Sequence, residues 1–283
     1  MKLGIIFNKE NKIAIQNLNL LFEAISSFSV EILVSEEVGS EVIFKEVKVY
    51  SCPEEVVKNS DIVVTLGGDG TLIETSKISA MYDKPILGIN SGHLGFLASI
   101  GNQQINEIKR VVDGNFRVYS RMFLELQGED NYKKLALNDV VITREPDSHI
   151  SNYKIFQNSR MVCKHYSDGI ILATPSGSTA YSFSAGGPIV NPEVECLTVT
   201  PICPHSLNSR SFILSSDSEI EIQYLPRENS KVGIYADGNF CFSSAHVGKL
   251  RVNKSRLKAK FIDLSHFNFY KLVHEKLFHQ PYN

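Results

Sequence analysis

Two hydrophobic patterns alternate through the first hundred residues. Short apolar runs rich in β-branched residues have the composition of buried parallel strands. They cover residues 3–7, 30–34, 61–66 and 85–89. Two longer segments between them, residues 12–26 and 71–81, place apolar residues near helical spacing, and residues 54–58 could form a short helix. The alternation predicts an α/β domain with a Rossmann-like open sheet.

A different pattern follows residue 101. Residues 102–112 predict one more helix, after which the chain breaks into short strand-like runs separated by turn residues. The runs cover residues 123–126, 136–143, 153–157, 169–173, 211–213, 219–223, 231–236 and 249–253. Such spacing predicts a mostly-β second domain, a β-sandwich. Residues 268–278 return to helical spacing, and we expect this helix to pack back on the first domain.

The domain boundaries follow from these patterns. We expect an α/β domain of residues 1–100 with the C-terminal segment 264–283, and an all-β domain of residues 101–263. A chain of 283 residues with 43% hydrophobic residues is long enough to bury two cores.

Charge and cysteine content exclude several classes of protein. The 29 Lys and Arg against 31 Asp and Glu give a net charge of -2, and no basic run favours nucleic acid or a membrane surface. The five cysteines are scattered without a Cys-x-x-Cys pair, which argues against a disulfide framework or a zinc site. The histidines lack metal-ligand spacing, although His93 is a candidate neighbour of the loop described next. We expect a cytoplasmic protein, because the apolar run at the N-terminus is too short for a signal peptide and no segment has the length of a membrane span.

A glycine-rich loop, Gly67-Gly68-Asp69-Gly70-Thr71, follows the third predicted strand and begins a predicted helix. Glycines let backbone N–H groups approach a polyphosphate, and the N-terminus of the helix adds favourable partial charge. The loop is neither a Walker loop, since no lysine follows the glycines, nor a Gly-x-Gly-x-x-Gly fingerprint. We therefore interpret Gly67, Gly68, Gly70 and Thr71 as a phosphate cradle.

Asp69 needs a separate reason, because phosphates repel a bare carboxylate. It can orient a hydroxyl, accept its proton or help to hold magnesium, and each of these roles belongs to phosphoryl transfer. The alternative is a glycine-rich turn whose aspartate caps the next helix. The loop alone leaves the two interpretations about even.

Longer segments decide between them by resemblance. The loop is similar to the Gly-Gly-Asp-Gly loop of NAD kinases, diacylglycerol and sphingosine kinases, and phosphofructokinases. Asn138-Asp139-Val140-Val141 and the segment from Asp168-Gly169-Ile170 through Thr174-Pro175-Ser176-Gly177-Ser178-Thr179-Ala180-Tyr181 to Gly186-Gly187-Pro188 resemble NAD kinases in particular. Residues 88–97, 201–207 and Asp237-Gly238 follow in the same order, so the likeness extends from the first strand to about Gly238.

The resemblance implies an ATP-dependent transfer to the adenosine ribose 2′-hydroxyl of NAD, giving NADP. It assigns catalysis to Asp69 and NAD binding to Asp69, Gly70, Asn138, Asp139, Asp168, Thr179, Ala180, Tyr181 and Ser184. Asn138 suits an adenine edge and Asp139 suits neighbouring ribose hydroxyls, although the family usually has Glu at the second position. Tyr181 could lie against adenine or nicotinamide. Asp168 is expected to reach the nicotinamide end of NAD bound to a neighbouring subunit, which implies a homodimer or homotetramer.

The expected mechanism has NAD bound across the gap between the domains, with Asp69 orienting and deprotonating the hydroxyl and Mg²⁺ neutralising the phosphates of ATP. The residues leave open the protein ligands of the metal, the preferred phosphoryl donor and the choice between NAD and NADH. Two other classes share the loop or the pocket: a lipid kinase of the diacylglycerol type, which needs an apolar acceptor groove, and a non-catalytic NAD(H)-sensing module. The small polar residues from Thr174 to Pro188 argue against the first, and Asp69 argues against the second.

Overall fold

A computed structural model of the protein describes residues 1–7, 12–36, 47–91, 95–128, 132–264 and 268–278. His93 lies outside the described residues. The chain divides into two units, one of Met1–Ser120 with Lys258–Asn283 and one of Arg121–Leu257. Among the described residues, no helix is long and apolar enough to cross a bilayer.

Strands and helices alternate at the start of the chain. In chain order they are β1 (Lys2–Phe7), α1 (Lys12–Ile25), β2 (Glu31–Ser35), β3 (Val47–Tyr50), α2 (Pro53–Asn59), β4 (Ile62–Gly67), α3 (Asp69–Met81), β5 (Pro85–Asn90), β6 (Ile100–Gly101), a 3₁₀ helix (Asn102–Glu107) and α4 (Ile108–Val112).

Strands predominate from residue 117 onward. They are β7 (Arg117–Gln127), β8 (Lys133–Ala136), β9 (Asp139–Arg144), β10 (Ser151–Gln157), β11 (Arg160–Ser167), β12 (Gly169–Ala173), β13 (Cys196–Ile202), β14 (Phe212–Ser215), β15 (Ile220–Leu225), β16 (Val232–Ala236), β17 (Asn239–Ser244) and β18 (Gly248–Asp263). A 3₁₀ helix (Ser176–Thr179) and α5 (Tyr181–Ser184) follow β12, and α6 (Phe269–Lys276) follows β18.

The first unit contains a parallel sheet with the strand order β3-β2-β1-β4-β5. β2 and β3 lie on one side of β1, and the chain then returns to place β4 and β5 on the other side. The direction of the strand order therefore reverses between β1 and β4. Open α/β sheets bind ligands beyond the carboxyl ends of the strands at such a reversal. The glycine-rich loop follows β4 and therefore starts at this position.

Burial explains why the strands of this sheet read as continuous apolar runs. Every residue of β4 is buried, and the core of the unit packs the strands against α1 through side chains such as Leu18 and Leu21. The C-terminal helix α6 belongs to the same unit, as expected. Its buried side chains are Phe269, Leu272 and Val273.

The second unit is a sandwich of two sheets. One has the order β14-β13-β12-β9-β16-β17, and the other contains β11-β10-β15-β18 with β7 and β8. Buried residues of both sheets, including Tyr153 and Ile170, form one core. The α/β domain followed by a mostly-β domain is thus confirmed.

One predicted strand was wrong in its extent. Residues 136–143 form two strands, because the chain breaks at Leu137 and Asn138 between β8 and β9. The carboxylate of Asp237 binds the backbone N–H groups there, so these groups cannot join a strand ladder. Likewise, residues 102–112 form a 3₁₀ helix followed by a short α-helix rather than one helix.

Candidate active site

The glycine-rich loop combines a tight contact with open backbone. A Cβ atom on Gly67 would lie 2.8 Å from the hydroxyl oxygen of Thr71, so the packing of the loop excludes a side chain there. A Cβ atom on Gly68 or Gly70 would meet no atom of the described residues within 4 Å. The backbone at these two glycines is therefore accessible to a ligand, which is the property a phosphate cradle requires.

Asp69 is the first residue of α3, and the next loop of the unit fixes its carboxylate. Oδ2 accepts a hydrogen bond from the backbone N–H of Phe96 at 3.1 Å. Oδ1 is buried and has no hydrogen-bond partner among the described residues. A buried oxygen without a partner is unusual and is often found where a ligand binds.

Gly95 leaves the space that this carboxylate occupies. A Cβ atom on Gly95 would overlap both carboxylate oxygens of Asp69. The absence of a side chain at Gly95 thus permits its backbone to lie directly against Asp69. Gly95 falls within residues 88–97, which resemble the family, but the sequence alone predicted no role for it.

Burial raises the pKa of Asp69 above its ordinary value. Hydrogen bonding from Phe96 opposes this shift, as do the charge of Lys276 and hydrogen bonding from Leu97. A carboxylate whose pKa is raised accepts a proton more readily than an ordinary aspartate, which suits a general base.

In the second unit, the corner at Leu137, Asn138 and Asp139 is held by Asp237. Its carboxylate accepts backbone hydrogen bonds from Leu137 at 2.9 Å, Asn138 at 2.7 Å and Asp139 at 3.2 Å. Asp237 and Gly238 form the two-residue turn between β16 and β17, with φ angles of 50° and 77°. Positive φ at both positions is the geometry of a type I′ hairpin, which Asp-Gly favours.

The segment after β12 holds the same corner from its other side. The hydroxyl of Thr174 donates to the carbonyl of Leu137 at 2.6 Å, and its backbone N–H donates to the carbonyl of Asn138 at 2.8 Å. Gly177 passes so close to Asn138 that a Cβ atom would overlap the Asn138 carbonyl. The carboxamide of Asn138 itself makes no hydrogen bond to any described residue, and it is therefore available to a ligand.

A pocket of about 430 Å³ opens at this corner, within the size range of small-molecule sites. It is lined by Asn138, Asp139, Val141, Thr143, Ala180, Tyr181, Tyr235, Asp237 and Gly238. The structure thus brings together Asn138, Asp139, Ala180 and Tyr181 of the predicted residues. The ring of Tyr181 is half-exposed at this pocket, as a surface for stacking a planar base would be.

Asp139 has the most perturbed carboxyl group of this pocket. Burial raises its pKa to about 7, and the charge of nearby Asp237 adds to the shift. Asp237 lies beside it and accepts the three backbone hydrogen bonds described above. Near neutral pH, Asp139 therefore changes charge within the pocket.

The other predicted residues do not line this pocket. Thr179 ends the 3₁₀ helix and donates to the carbonyl of Ser176 at 3.2 Å, and Ser184 is exposed at the end of α5. Asp168 precedes β12, and its carboxylate accepts from Nε of Arg144 at 2.6 Å. Their roles in binding stay predictions.

Tyr235 and Asp237 line the pocket although sequence reasoning gave neither a site role. The turn at Asp237 could have been predicted from the sequence, because Asp-Gly between two apolar runs favours a hairpin turn. Nothing local identified the backbone groups that it binds, which lie about a hundred positions earlier. Tyr235 pairs with Val141 across β16 and β9, and only that register places it at the pocket.

The fold and the chemistry of the loop together define a class of protein, the nucleotide-dependent phosphotransferases. Models of the ATP-NAD kinase N-terminal domain and of the ATP-NAD kinase C-terminal domain match residues 3–116 and 137–264. The NAD kinase of Acetivibrio thermocellus is 34% identical over 283 residues, covering 98% of this chain and 97% of that one. The chain belongs to the NAD kinase family.

Further relatives and solved structures are consistent with this family. The NAD kinase of Clostridium botulinum is 40% identical over 221 residues, which cover 77% of this chain and 78% of that one. A yeast NADH kinase complexed with NADH has a TM-score of 0.87 and 26% identity, covering 100% of this chain and 89% of that one. An NAD kinase from Archaeoglobus fulgidus in complex with ATP has a TM-score of 0.71 and 26% identity, covering 92% and 93%.

Proposed function

We infer that the protein is an ATP-dependent NAD kinase, which transfers the terminal phosphoryl group of ATP to the adenosine ribose 2′-hydroxyl of NAD and forms NADP. The family match over both units supports this reaction. The structural observation that carries it is the carboxylate of Asp69, which is buried among the glycines with one oxygen engaged and the other without a partner among the described residues.

Asp69 is the catalytic base in this proposal. The N–H of Phe96 fixes Oδ2, which leaves Oδ1 to accept the hydrogen bond and then the proton of the attacking hydroxyl. Gly67, Gly68, Gly70 and Thr71 form the phosphate cradle, because the open backbone at Gly68 and Gly70 can approach phosphate oxygens. Gly70 also contributes to NAD binding.

The pocket of the second unit holds the nucleoside of NAD. The carboxamide of Asn138, which has no hydrogen-bond partner among the described residues, offers both a donor and an acceptor to an adenine edge. Asp139 accepts hydrogen bonds from the ribose hydroxyls, and Ala180 and Tyr181 line the part of the pocket that holds the base. Asp237 acts on this pocket by fixing the backbone that carries Asn138 and Asp139.

Asp168, Thr179 and Ser184 complete the NAD site. We propose that the enzyme is a homodimer or a homotetramer and that Asp168 reaches the nicotinamide end of NAD held by a neighbouring subunit. The ion pair between Asp168 and Arg144 supports this role, because it fixes the direction of a half-buried carboxylate. We further propose that the enzyme acts in the cytoplasm.

Magnesium enters this proposal with ATP. The described residues contain no group of three or more His, Cys, Asp or Glu side chains that could enclose a metal ion. Oδ1 of Asp69, which has no partner in the described part of the chain, is a carboxylate ligand of the kind that magnesium prefers, directly or through water. Bound to ATP, the ion offsets the negative charge of the phosphates.

The test is production of NADP from NAD, ATP and magnesium, followed with an NADP-specific dehydrogenase. Asp69→Asn keeps the shape of the side chain and removes the base, so we expect kcat to fall by about a hundredfold or more. Because burial disfavours the charged form of Asp69, the variant should unfold at the same or a higher denaturant concentration. Asp113→Asn, an exposed change in the same unit, is the matched control and should retain full activity.

Either of two results would contradict the proposal. Near-normal turnover by Asp69→Asn would exclude this residue as the base. Absence of NADP with the native protein and every nucleoside triphosphate or polyphosphate donor, while NAD still binds, would indicate a non-catalytic binding module.

A further inference from the structure

A half-buried lysine continues the apolar face of the C-terminal helix. Phe269, Leu272 and Val273 are the buried residues of α6, and helical spacing places Lys276 next along the same face. A lysine that only contributes to solubility would be expected on the exposed face of the helix. The groups around Lys276 therefore indicate the role of its charge.

Those surroundings are the segment that binds Asp69. The Nζ of Lys276 lies 5.8 Å from the centroid of the Phe96 ring, and Phe269 packs on that ring at 6.4 Å between centroids. The backbone N–H of Phe96 in turn donates to Oδ2 of Asp69. One residue thus connects the ammonium of α6 to the catalytic carboxylate.

Among the described residues, Lys276 has no salt-bridge partner. Lys271 on the same helix, in contrast, pairs with Glu275 at 3.9 Å. The charged pair on α3, Glu74 and Lys77, is joined at 2.8 Å. Lys276 can therefore direct its charge toward Asp69 and an incoming anion without breaking an existing ion pair.

The glycine-rich loop creates a need for this charge. A Walker loop supplies its own lysine to the phosphates, but Gly67 to Thr71 contains none and adds the carboxylate of Asp69 instead. We propose that Lys276 is a positioning residue of the phosphoryl-transfer site, whose ammonium offsets the repulsion between Asp69 and the phosphates of the donor. This proposal rests on the proposed function of Asp69.

The electrostatics agree with the geometry. The charge of Lys276 lowers the pKa of Asp69 against the larger effect of burial. A cation that opposes burial in this way keeps the base ionised while negatively charged phosphates approach. The C-terminal helix thereby supplies what the loop lacks, from about two hundred positions further along the chain.

Three variants of the full-length protein test the proposal. Lys276→Gln removes the charge, Lys276→Arg keeps it, and Lys271→Gln removes a charge from the exposed side of the same helix. For Lys276→Gln we expect KM for ATP to rise and ATP affinity measured by calorimetry to fall, each by about tenfold. The acidic limb of the pH profile of kcat/KM should move up by about half a pH unit or more, because the base then titrates at higher pH. Lys276→Arg should largely retain the ATP affinity and the pH profile of the native protein. Lys271→Gln should change neither property.

A purely structural role gives a different pattern. In that case Lys276→Gln lowers kcat through loss of folded protein, and the acidic limb of its pH profile stays in place. Lys276→Arg then does not rescue ATP affinity. That result overturns the proposal. Lys276→Met keeps the stem against Phe96 and replaces Lys276→Gln if that variant does not fold. ATP affinity separates this test from the proposed function, because it can be measured whether or not NADP is formed.

Discussion

The carboxylate of Asp237 accepts a hydrogen bond from the backbone N–H of Asn138 at 2.7 Å, the shortest of its three bonds to the corner of the pocket in the second unit. A side chain in one hairpin turn thus fixes a break between two strands that lie far away in the sequence. The pocket depends on this relationship, because the same corner presents the side chains of Asn138 and Asp139.

Replacing this carboxylate should loosen the corner. Asp237→Asn retains the positive φ that asparagine tolerates, but its amide cannot accept from all three N–H groups. We expect the free energy of unfolding to fall by about 1–3 kcal/mol and affinity for NAD to fall with it. Urea denaturation and calorimetry measure the two effects.

Asp217→Asn is the matched control for that change, since Asp217 is an exposed aspartate of the same unit. Its effect on stability should stay within about 0.5 kcal/mol. Equal stability of the two variants would show that the three backbone hydrogen bonds of Asp237 do not hold the corner.

The titration of Asp139 should be visible in stability. Its pKa is raised from 3.8 to about 7, so the folded protein binds a proton that the unfolded chain has lost between these values. The contribution of this group to stability is therefore complete below about pH 4 and is lost as pH rises through 7. The loss amounts to about 4 kcal/mol at most, from a shift of about three pKa units.

Asp139→Asn removes this titration with little change in shape. The difference in unfolding free energy between native and variant protein should therefore shift in favour of the variant as pH increases from 4 to 8. NAD affinity of the native protein should increase over the upper part of that range, because an ionised carboxylate is the stronger acceptor for ribose hydroxyls. A difference that is independent of pH would contradict a raised pKa at Asp139.

Gly95→Ala tests the packing of the carboxylate of Asp69, the proposed catalytic base. The added methyl group would overlap both oxygens of Asp69, so the carboxylate must move. A displacement of the base should lower kcat by about a hundredfold. Measured NADP formation should fall far more than the stability of the unit.

Gly101→Ala provides the control, because a Cβ atom on Gly101 meets nothing within 4 Å. It should leave turnover unchanged. If the two alanine variants have the same activity, the position of the Asp69 carboxylate does not limit the reaction.

The sequence by itself determined the order of elements and the loop. Continuous apolar runs predicted β1, β2, β4 and β5 to within about one residue, because parallel strands buried on both faces need apolar residues throughout. Glycines next to an aspartate at the end of β4 indicated the phosphate cradle, because the chemistry of such a loop resides in consecutive residues. The family resemblance added the substrate.

Some strands were not predicted from the sequence. β11 has a mixed polar pattern with both exposed and buried positions, and β3 is a short strand at the edge of its sheet. β13 is entirely buried, yet it contains Pro201, a residue that argues against a strand. In each case pairing with a neighbouring strand decided the structure, and such pairing leaves little local signal.

Only the tertiary structure decided which distant groups act on the site. Asp237 binds the backbone at Asn138, Gly95 makes room for Asp69, and Lys276 lies on the ring of Phe96. None of these relationships has a spacing that a local pattern can reveal, because each joins residues that are far apart in the sequence and close only in the folded structure. Hydrogen bonds, steric fit and charge act over a few ångströms of space, whereas the sequence records only separation along the chain.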